Sequence, residues 1–210
     1  MLDKLDVTKL VLGQLQTNCY IVRDLISHEA IIIDPADDAD YISQILQKLV
    51  LKPILIMATH GHFDHILVAG ELQQIYKIPF LVHQKDQFLV GRMPETAQHF
   101  LGYKVECLPP QTTDYLRNNQ VIRLGKQAIK AIETPGHTPG SVSFYIREQP
   151  ALFTGDTIFA GGGQGRTDFT YSSRLDLQKS IKKILGCPNQ TVLYPGHGSD
   201  ATVSKEKRWH

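Results

Sequence analysis

A chain of 210 residues, 42% of them hydrophobic, can bury a core and suits one domain over 1–210. Its net charge of +1 and pI near 7.8 provide no basic field for nucleic acid and no charged face for a membrane surface, which leaves a small molecule as the expected partner. No apolar run reaches the length of a membrane span, and residues 1–6 interleave acids with a lysine where a signal peptide would be apolar. Cys19, Cys107 and Cys187 lack pair spacing, so the expected compartment is the reducing cytoplasm.

In chain order, residues 9–15, 19–23 and 30–34 are short, β-branched or apolar, with polar turns between them, and they read as a meander of strands. Over 36–50, Ile42, Ile45, Leu46 and Leu49 fall at helical spacing after an acidic first turn, and Pro53 stops the helix. An apolar strand at 54–58 then runs directly into Thr59-His60-Gly61-His62-Phe63-Asp64-His65. Three histidines and an aspartate so close together at a strand end read as a metal site, because one short loop can then offer imidazole nitrogens and a carboxylate to more than one ion. Residues 66–76 read as the next helix, 80–83 as a strand and 85–102 as a helical stretch of poor periodicity. Strands follow at 121–124, 127–133, 141–146, 151–154 and 191–194, interrupted by one amphipathic helix at 175–185. This order suggests an α/β fold of two sheets, or of one large mixed sheet, with helices outside.

The polar signals of the second half also sit at strand ends. His137 lies between two Pro/Gly turns in Thr134-Pro135-Gly136-His137-Thr138-Pro139-Gly140, Asp156 follows Gly155, and His197 closes Tyr194-Pro195-Gly196-His197. A lone Pro-Gly-His is more often an exposed turn than a ligand. Here five of the nine histidines occupy glycine-flanked loops after strands, where backbone can come close to an ion on a rigid scaffold. His28, His83, His99 and His210 have no such context and read as ordinary surface or core residues.

Taken together, His60-x-His62-x-Asp64-His65, His137, Asp156 and His197 resemble the metallo-β-lactamase superfamily. The strings around them, Thr59 to His65, Glu133 to Ser141, Leu152 to Phe159 and Tyr194 to Gly198, are similar to those of its glyoxalase II group, the hydroxyacylglutathione hydrolases and their short bacterial relatives. The likeness runs from about Leu10 to Lys207. It implies an αβ/βα four-layer sandwich, two mixed β-sheets flanked by helices, with two divalent metal ions at one edge. His60, His62 and His137 would hold one ion, Asp64, His65 and His197 the other, and Asp156 would bridge. Zinc suits these donors, and iron or manganese is also compatible. Asp34 matches a position whose carboxylate supports a ligand histidine from behind, although Asp34-Pro35 also favours a plain turn. The implied activity is thioester hydrolysis by a metal-activated hydroxide, with Asp64 as the catalytic residue that orients the nucleophile.

Around this set the sequence is less specific. The longer glyoxalase II enzymes add a C-terminal helical domain that helps to hold glutathione, whereas here Gly198 to His210 alone follows the last ligand motif, so the acyl group and the thiol stay open. The glycine-rich run 160–165 is no P-loop, since no Gly-Lys-Ser/Thr follows it. Arg166 could clamp a substrate carboxylate or pair with Asp168, and Tyr171 and Arg174 are further candidate substrate contacts. Within 84–119, Met93, Phe100 and Tyr103 serve either the pocket wall or the core. Residues 204–208 read as a solvated basic end.

Other functions must use the same residues. A persulfide dioxygenase would keep a single iron on His60, His137 and Asp156, and Gly165-Arg166-Thr167-Asp168-Phe169 resembles that group, while Pro195-Gly196-His197-Gly198 resembles the binuclear hydrolases. A common zinc β-lactamase would carry cysteine in place of Asp156. A non-catalytic metal-binding module would be expected to have lost ligands, and none is missing.

Overall fold

The three consecutive isoleucines of the third strand show how the layers are built, because neighbours on a strand point to opposite faces. The structure, a computed structural model, describes residues 5–210. Strands β1 (Leu5–Leu12), β2 (Thr17–Asp24), β3 (Glu29–Ile33), β4 (Lys52–Met57), β5 (Phe80–His83) and β6 (Thr112–Leu116) form one sheet in that order. It is antiparallel from β1 to β3 and parallel from β3 to β6. Ile31 and Ile33 point to the interior between the two sheets with Met57, Tyr20 and Leu81, whereas Ile32 points outward with Ile21, Ile56 and Phe80. Burial on both faces explains why these strands are apolar throughout.

The second sheet contains β7 (Val121–Leu124), β8 (Gln127–Glu133), β9 (Val142–Ile146), β10 (Ala151–Gly155), β11 (Val192–Pro195) and β12 (Ala201–Thr202), in the order β12-β11-β10-β9-β8-β7. Only the β10–β11 pair is parallel. Helices α1 (Ala39–Lys48), α2 (Phe63–Ile66), α3 (Ala69–Tyr76), α4 (Gln87–Gly91) and α5 (Met93–Leu101) cover the outer face of the first sheet through Ile42, Leu46, Ile66, Leu72, Val90 and Met93. On the outer face of the second, α6 (Arg174–Leu185) and α7 (Val203–Glu206) pack Leu177, Ile181, Ile184 and Val203 onto Leu152 and Leu193. The result is the αβ/βα four-layer sandwich.

Several elements differ from the sequence reading. The helix expected at 66–76 is two, α2 and α3, and the first begins at Phe63, inside the histidine motif. The stretch 85–102 divides into a 3-10 turn at Gln84–Asp86, then α4, then α5, which restarts with Pro94 in its first turn, where a missing N–H costs nothing. Strand β1 lies at Leu5–Leu12 rather than 9–15, since the chain turns from Gly13 to Gln16. Strands β6 and β12 and helix α7 were not anticipated. Of the leader reading at 1–6, residues 1–4 lie outside those described. No helix among the described residues is long and apolar enough to cross a membrane.

The carboxyl ends of β3, β4, β10 and β11 meet at one edge, where hydrogen bonds join the two sheets. The amide of Val142 donates to Thr59 O at 2.8 Å, that of Asn18 to Gly196 O at 2.7 Å, and Tyr20 Oη to Pro195 O at 2.6 Å. Behind these bonds, Phe153 is fully buried, edge-on to Tyr20 at 5.1 Å and stacked on Tyr194 at 5.0 Å. Phe153→Ala should cost about 3–5 kcal/mol in denaturant unfolding. A loss below about 1 kcal/mol would show that the ring closes no essential part of the core between the sheets.

Candidate metal centre

All seven sequence-predicted donors converge at this edge. His60 and His62 lie in the loop after β4, Asp64 and His65 on α2, His137 in the loop after β8, and Asp156 and His197 just beyond β10 and β11. Three overlapping groups of donors form: His60, His62 and His137; Asp64, His65 and His197; and His60, His65 and Asp156, each with donor atoms within 4.8 Å of one another. Asp156 lies between the first two, its Oδ2 3.5 Å from His137 Nε2 and 3.6 Å from His197 Nε2, and its Oδ1 3.5 Å from His65 Nε2.

The outward nitrogen of every one of the five rings has a partner, and for all but His62 that partner is an acceptor, which places a proton on the outer nitrogen. His65 Nδ1 donates to Asp34 Oδ2 at 2.9 Å, His137 Nδ1 to Arg166 O at 2.9 Å and His197 Nδ1 to Leu15 O at 3.1 Å. Thr59 Oγ1 donates to Asp34 Oδ2 at 2.7 Å, so it accepts from His60 Nδ1 at 3.1 Å. His62 is reversed: its Nε2 meets Tyr171 Oη at 2.9 Å, leaving Nδ1 inward. With a proton outside, the inner nitrogen is left to offer a lone pair. His62 Nδ1 faces His137 Nε2 at 2.9 Å and His60 Nε2 at 3.1 Å, a convergence of ring nitrogens that a metal cation would suit. His65 Nε2 and Asp156 Oδ1 are buried with no hydrogen-bond partner, which fits a role as metal donors.

The electrostatics divide the rings. Burial, reinforced by neighbouring imidazoles, holds His60 well below its usual range and His62 down at about 3, so both are neutral. Burial opposes charge on His65 too, but Asp64, Asp156 and Asp34 surround it and raise it to about 10, so its inner nitrogen would give up a proton to a metal ion. Burial works against an ionised Asp64, yet His65 and His197 hold its carboxyl well below the usual carboxylate range.

Beside the donors lies a cavity of about 230 Å³ lined by Leu15, Phe63, Thr96, Phe100, Arg166, Phe169 and Tyr171. A larger groove of about 560 Å³ between Asp37, Glu71 and Cys107 contains no histidine. Arg166 lies at the cavity rim, bound by both oxygens of Asp168 at 2.7 and 2.5 Å and placed over the Phe169 ring at 4.4 Å. Tyr171 lines the cavity and also holds His62. Arg174 opens α6, exposed, and is not among the residues lining the cavity. Phe100 reaches the wall, stacked on Phe63 at 5.8 Å, whereas Met93 is buried in the outer core and Tyr103 bonds Gln14.

Sequence reasoning missed Thr59 and Thr17. Thr59 heads the histidine motif, and its β-branched hydroxyl was a readable signal. Thr17, which donates to Asp64 Oδ2 at 2.9 Å, is 47 residues away and gave none.

Asp34 carries three of these bonds, from the Thr59 amide, the Thr59 hydroxyl and His65. Asp34→Asn should weaken zinc binding about 10–100-fold in chelator competition, and unchanged affinity would reduce Asp34 to a turn residue. Tyr171→Phe leaves His62 Nε2 without its partner and should weaken zinc binding as well; a rise in KM with zinc affinity intact would make Tyr171 a substrate contact alone.

Residues 12–197 match the metallo-beta-lactamase superfamily. The chain is 34% identical to the hydroxyacylglutathione hydrolase GloC of Haemophilus influenzae, covering 92% of this chain and 91% of that one, and 31% identical to the mitochondrial persulfide dioxygenase ETHE1 of Mus musculus, covering 91% and 69%. Among solved structures it superposes on BLEG-1, a B3 metallo-beta-lactamase, with a TM-score of 0.85 at 32% identity, covering 97% of each chain. It also superposes on the di-iron-bound form of TTHA1623 with a TM-score of 0.86 at 30% identity, covering 97% and 98%. With a match that takes in every candidate donor and nearly the whole length, this chain belongs to the metallo-beta-lactamase superfamily.

Proposed function

We propose that the protein is a metal-dependent hydrolase of thioesters, of the hydroxyacylglutathione hydrolase kind, acting on a small molecule in the cytoplasm. The observation that carries this reading is the completeness of both donor groups, His60, His62 and His137 on one side and Asp64, His65 and His197 on the other, with Asp156 between them. The likeness to GloC supports a thioester as the bond cleaved. What divalent cations supply to such a donor set, zinc foremost with iron or manganese also suited, is hydroxide near neutral pH and positive charge for a developing oxyanion.

The chain's own residues provide the rest. Thr17 binds one oxygen of Asp64, and the same oxygen lies 3.4 Å from His197 Nε2 and 3.6 Å from His65 Nε2, so the carboxylate plane is fixed where it can orient an attacking water. Phe63, Phe100, Phe169 and Leu15 keep other water away and offer apolar contact to an acyl group. A thiol with a pKa near ~8.5 leaves as thiolate without a strong acid. That suits a cavity whose phenol, on Tyr171, burial pushes up to about 12. Arg166 would have to exchange Asp168 for a substrate carboxylate.

A second reading, persulfide dioxygenase on a single iron, draws on the Gly165–Phe169 string and on the likeness to ETHE1. It leaves Asp64, His65 and His197 without a task.

Metal-replete protein should release thiol from S-D-lactoylglutathione, and a chelator should abolish the release. Asp64→Asn, compared with wild type at matched metal content, should lower kcat at least about 100-fold. Oxygen uptake on glutathione persulfide, or opening of a β-lactam, with metal bound and no thioester cleaved, would overturn the proposal.

A further inference from the structure

The donors His60, His62 and His137 come from two separate loops, one on each sheet, and a single buried carboxylate joins those loops. Asp86 ends the 3-10 turn after β5 and has no solvent exposure. Its Oδ2 accepts from the Gly61 amide at 2.9 Å and from Thr138 Oγ1 at 2.7 Å, and its Oδ1 accepts from the Gly140 amide at 2.7 Å. Gly61 separates His60 from His62, and Thr138 follows His137. Asp86 also precedes α4, where an aspartate would ordinarily cap the helix, yet its side chain makes no capping bond and turns to the two loops instead.

The glycines give a second, independent observation. A Cβ on Gly140 would lie 2.5 Å from Asp86 Oδ1, and one on Gly61 would lie 2.8 Å from the Asp86 carbonyl oxygen. Both positions are small because Asp86 sits between them. One glycine in each histidine motif is thus explained by a residue that belongs to neither motif, while Gly136 is set by Leu177 and a positive φ.

We propose that Asp86 is a positioning residue for the His60, His62 and His137 half of the centre: one carboxylate bridges the two loops and sets the spacing of their three imidazoles. The inference rests on the metal-centre reading, and it assigns Asp86 no contact with metal or substrate. Asn at this position keeps the shape but sets an NH2 group against one of the three donors, so the bridge cannot form in full.

The test is made on zinc-loaded protein, reading zinc affinity by chelator competition and each imidazole by long-range proton–nitrogen correlation. In Asp86→Asn the ring signals of His60, His62 and His137 should shift or lose their zinc-bound form while those of His65 and His197 hold, and affinity should fall about 10–100-fold. Gly140→Ala, which leaves Asp86 in place but crowds its Oδ1, should reproduce the pattern, and Thr138→Val, which removes one of three donors, should show it weakly. These two decide the matter if Asp86→Asn does not fold. Leu46→Ala, a core truncation in α1, serves as the control for lost stability alone and should move no ring selectively. Five rings moving together, or none moving, would overturn the positioning role. Wild-type protein that takes up no zinc would instead overturn the metal-centre reading beneath it.

Discussion

The constraint on which the rest of the structure depends is the burial of lone pairs facing one another. Five imidazoles and two carboxylates point their acceptors into one small volume, where His60 and His65 are almost without solvent. Groups so arranged repel each other and lose hydration, a combination that costs several kcal/mol per group unless something outside compensates. Compensation comes from behind the rings. Each outward nitrogen is tied to a carboxylate, a carbonyl, a threonine hydroxyl or a tyrosine hydroxyl, which holds the rings in place with their other nitrogens toward the centre.

That requirement accounts for the use of strand ends. A loop after a strand starts from a fixed point, and four such points lie along one edge of the sandwich. The inter-sheet bonds at Thr59, Pro195 and Gly196 hold the two sheets in register where the donors are, not in the middle of the core. Asp34 illustrates the cost accepted for this: it adopts a left-handed φ of 53°, uncommon for a residue with a side chain, and in that conformation both of its oxygens reach the loop carrying His60 and His65.

Much of the site was legible because its residues declare themselves. Histidine beside glycine after an apolar run has few uses, and the repetition of that arrangement through both halves of the chain marked every candidate donor. The strands with apolar faces were readable for the same reason. Strand β6 was not, because its polar Thr112-Thr113-Asp114 lies half exposed at a sheet edge and offers no hydrophobic alternation. Strand β12 has two residues, too few for any period. Helix α2 escaped because its four residues are spent on ligands and on Phe63 and Ile66, so the motif itself concealed it. The supports of the donors were the hardest part. Backbone acceptors such as Leu15 and Arg166 leave no trace in side-chain identity, and Asp86 looks like any helix-starting aspartate until the two loops are seen on either side of it.

The chain's end shows how a charge pattern conceals a structural bond. Lys205, Lys207 and Arg208 surround Glu206, and by charge the segment is a solvated tail. Yet Glu206 is 2% exposed, because α7 turns it onto the 3-10 turn at Ala160–Gly162. Its two oxygens accept from the successive amides of Gly161 and Gly162 at 3.1 and 2.8 Å, the concave arrangement in which paired backbone N–H groups hold an anion. Those glycines begin the loop that continues to Gly165 and Arg166, and the Arg166 carbonyl accepts from His137. The loop is therefore fixed at both ends, by a carboxylate at its start and by an imidazole near its finish. The residues that face the cavity, Arg166 and Phe169, follow directly from that second fixed point. With the loop held at both of these points, the exposed Arg166–Asp168 pair at the rim can move or exchange partners without disturbing the donors below it.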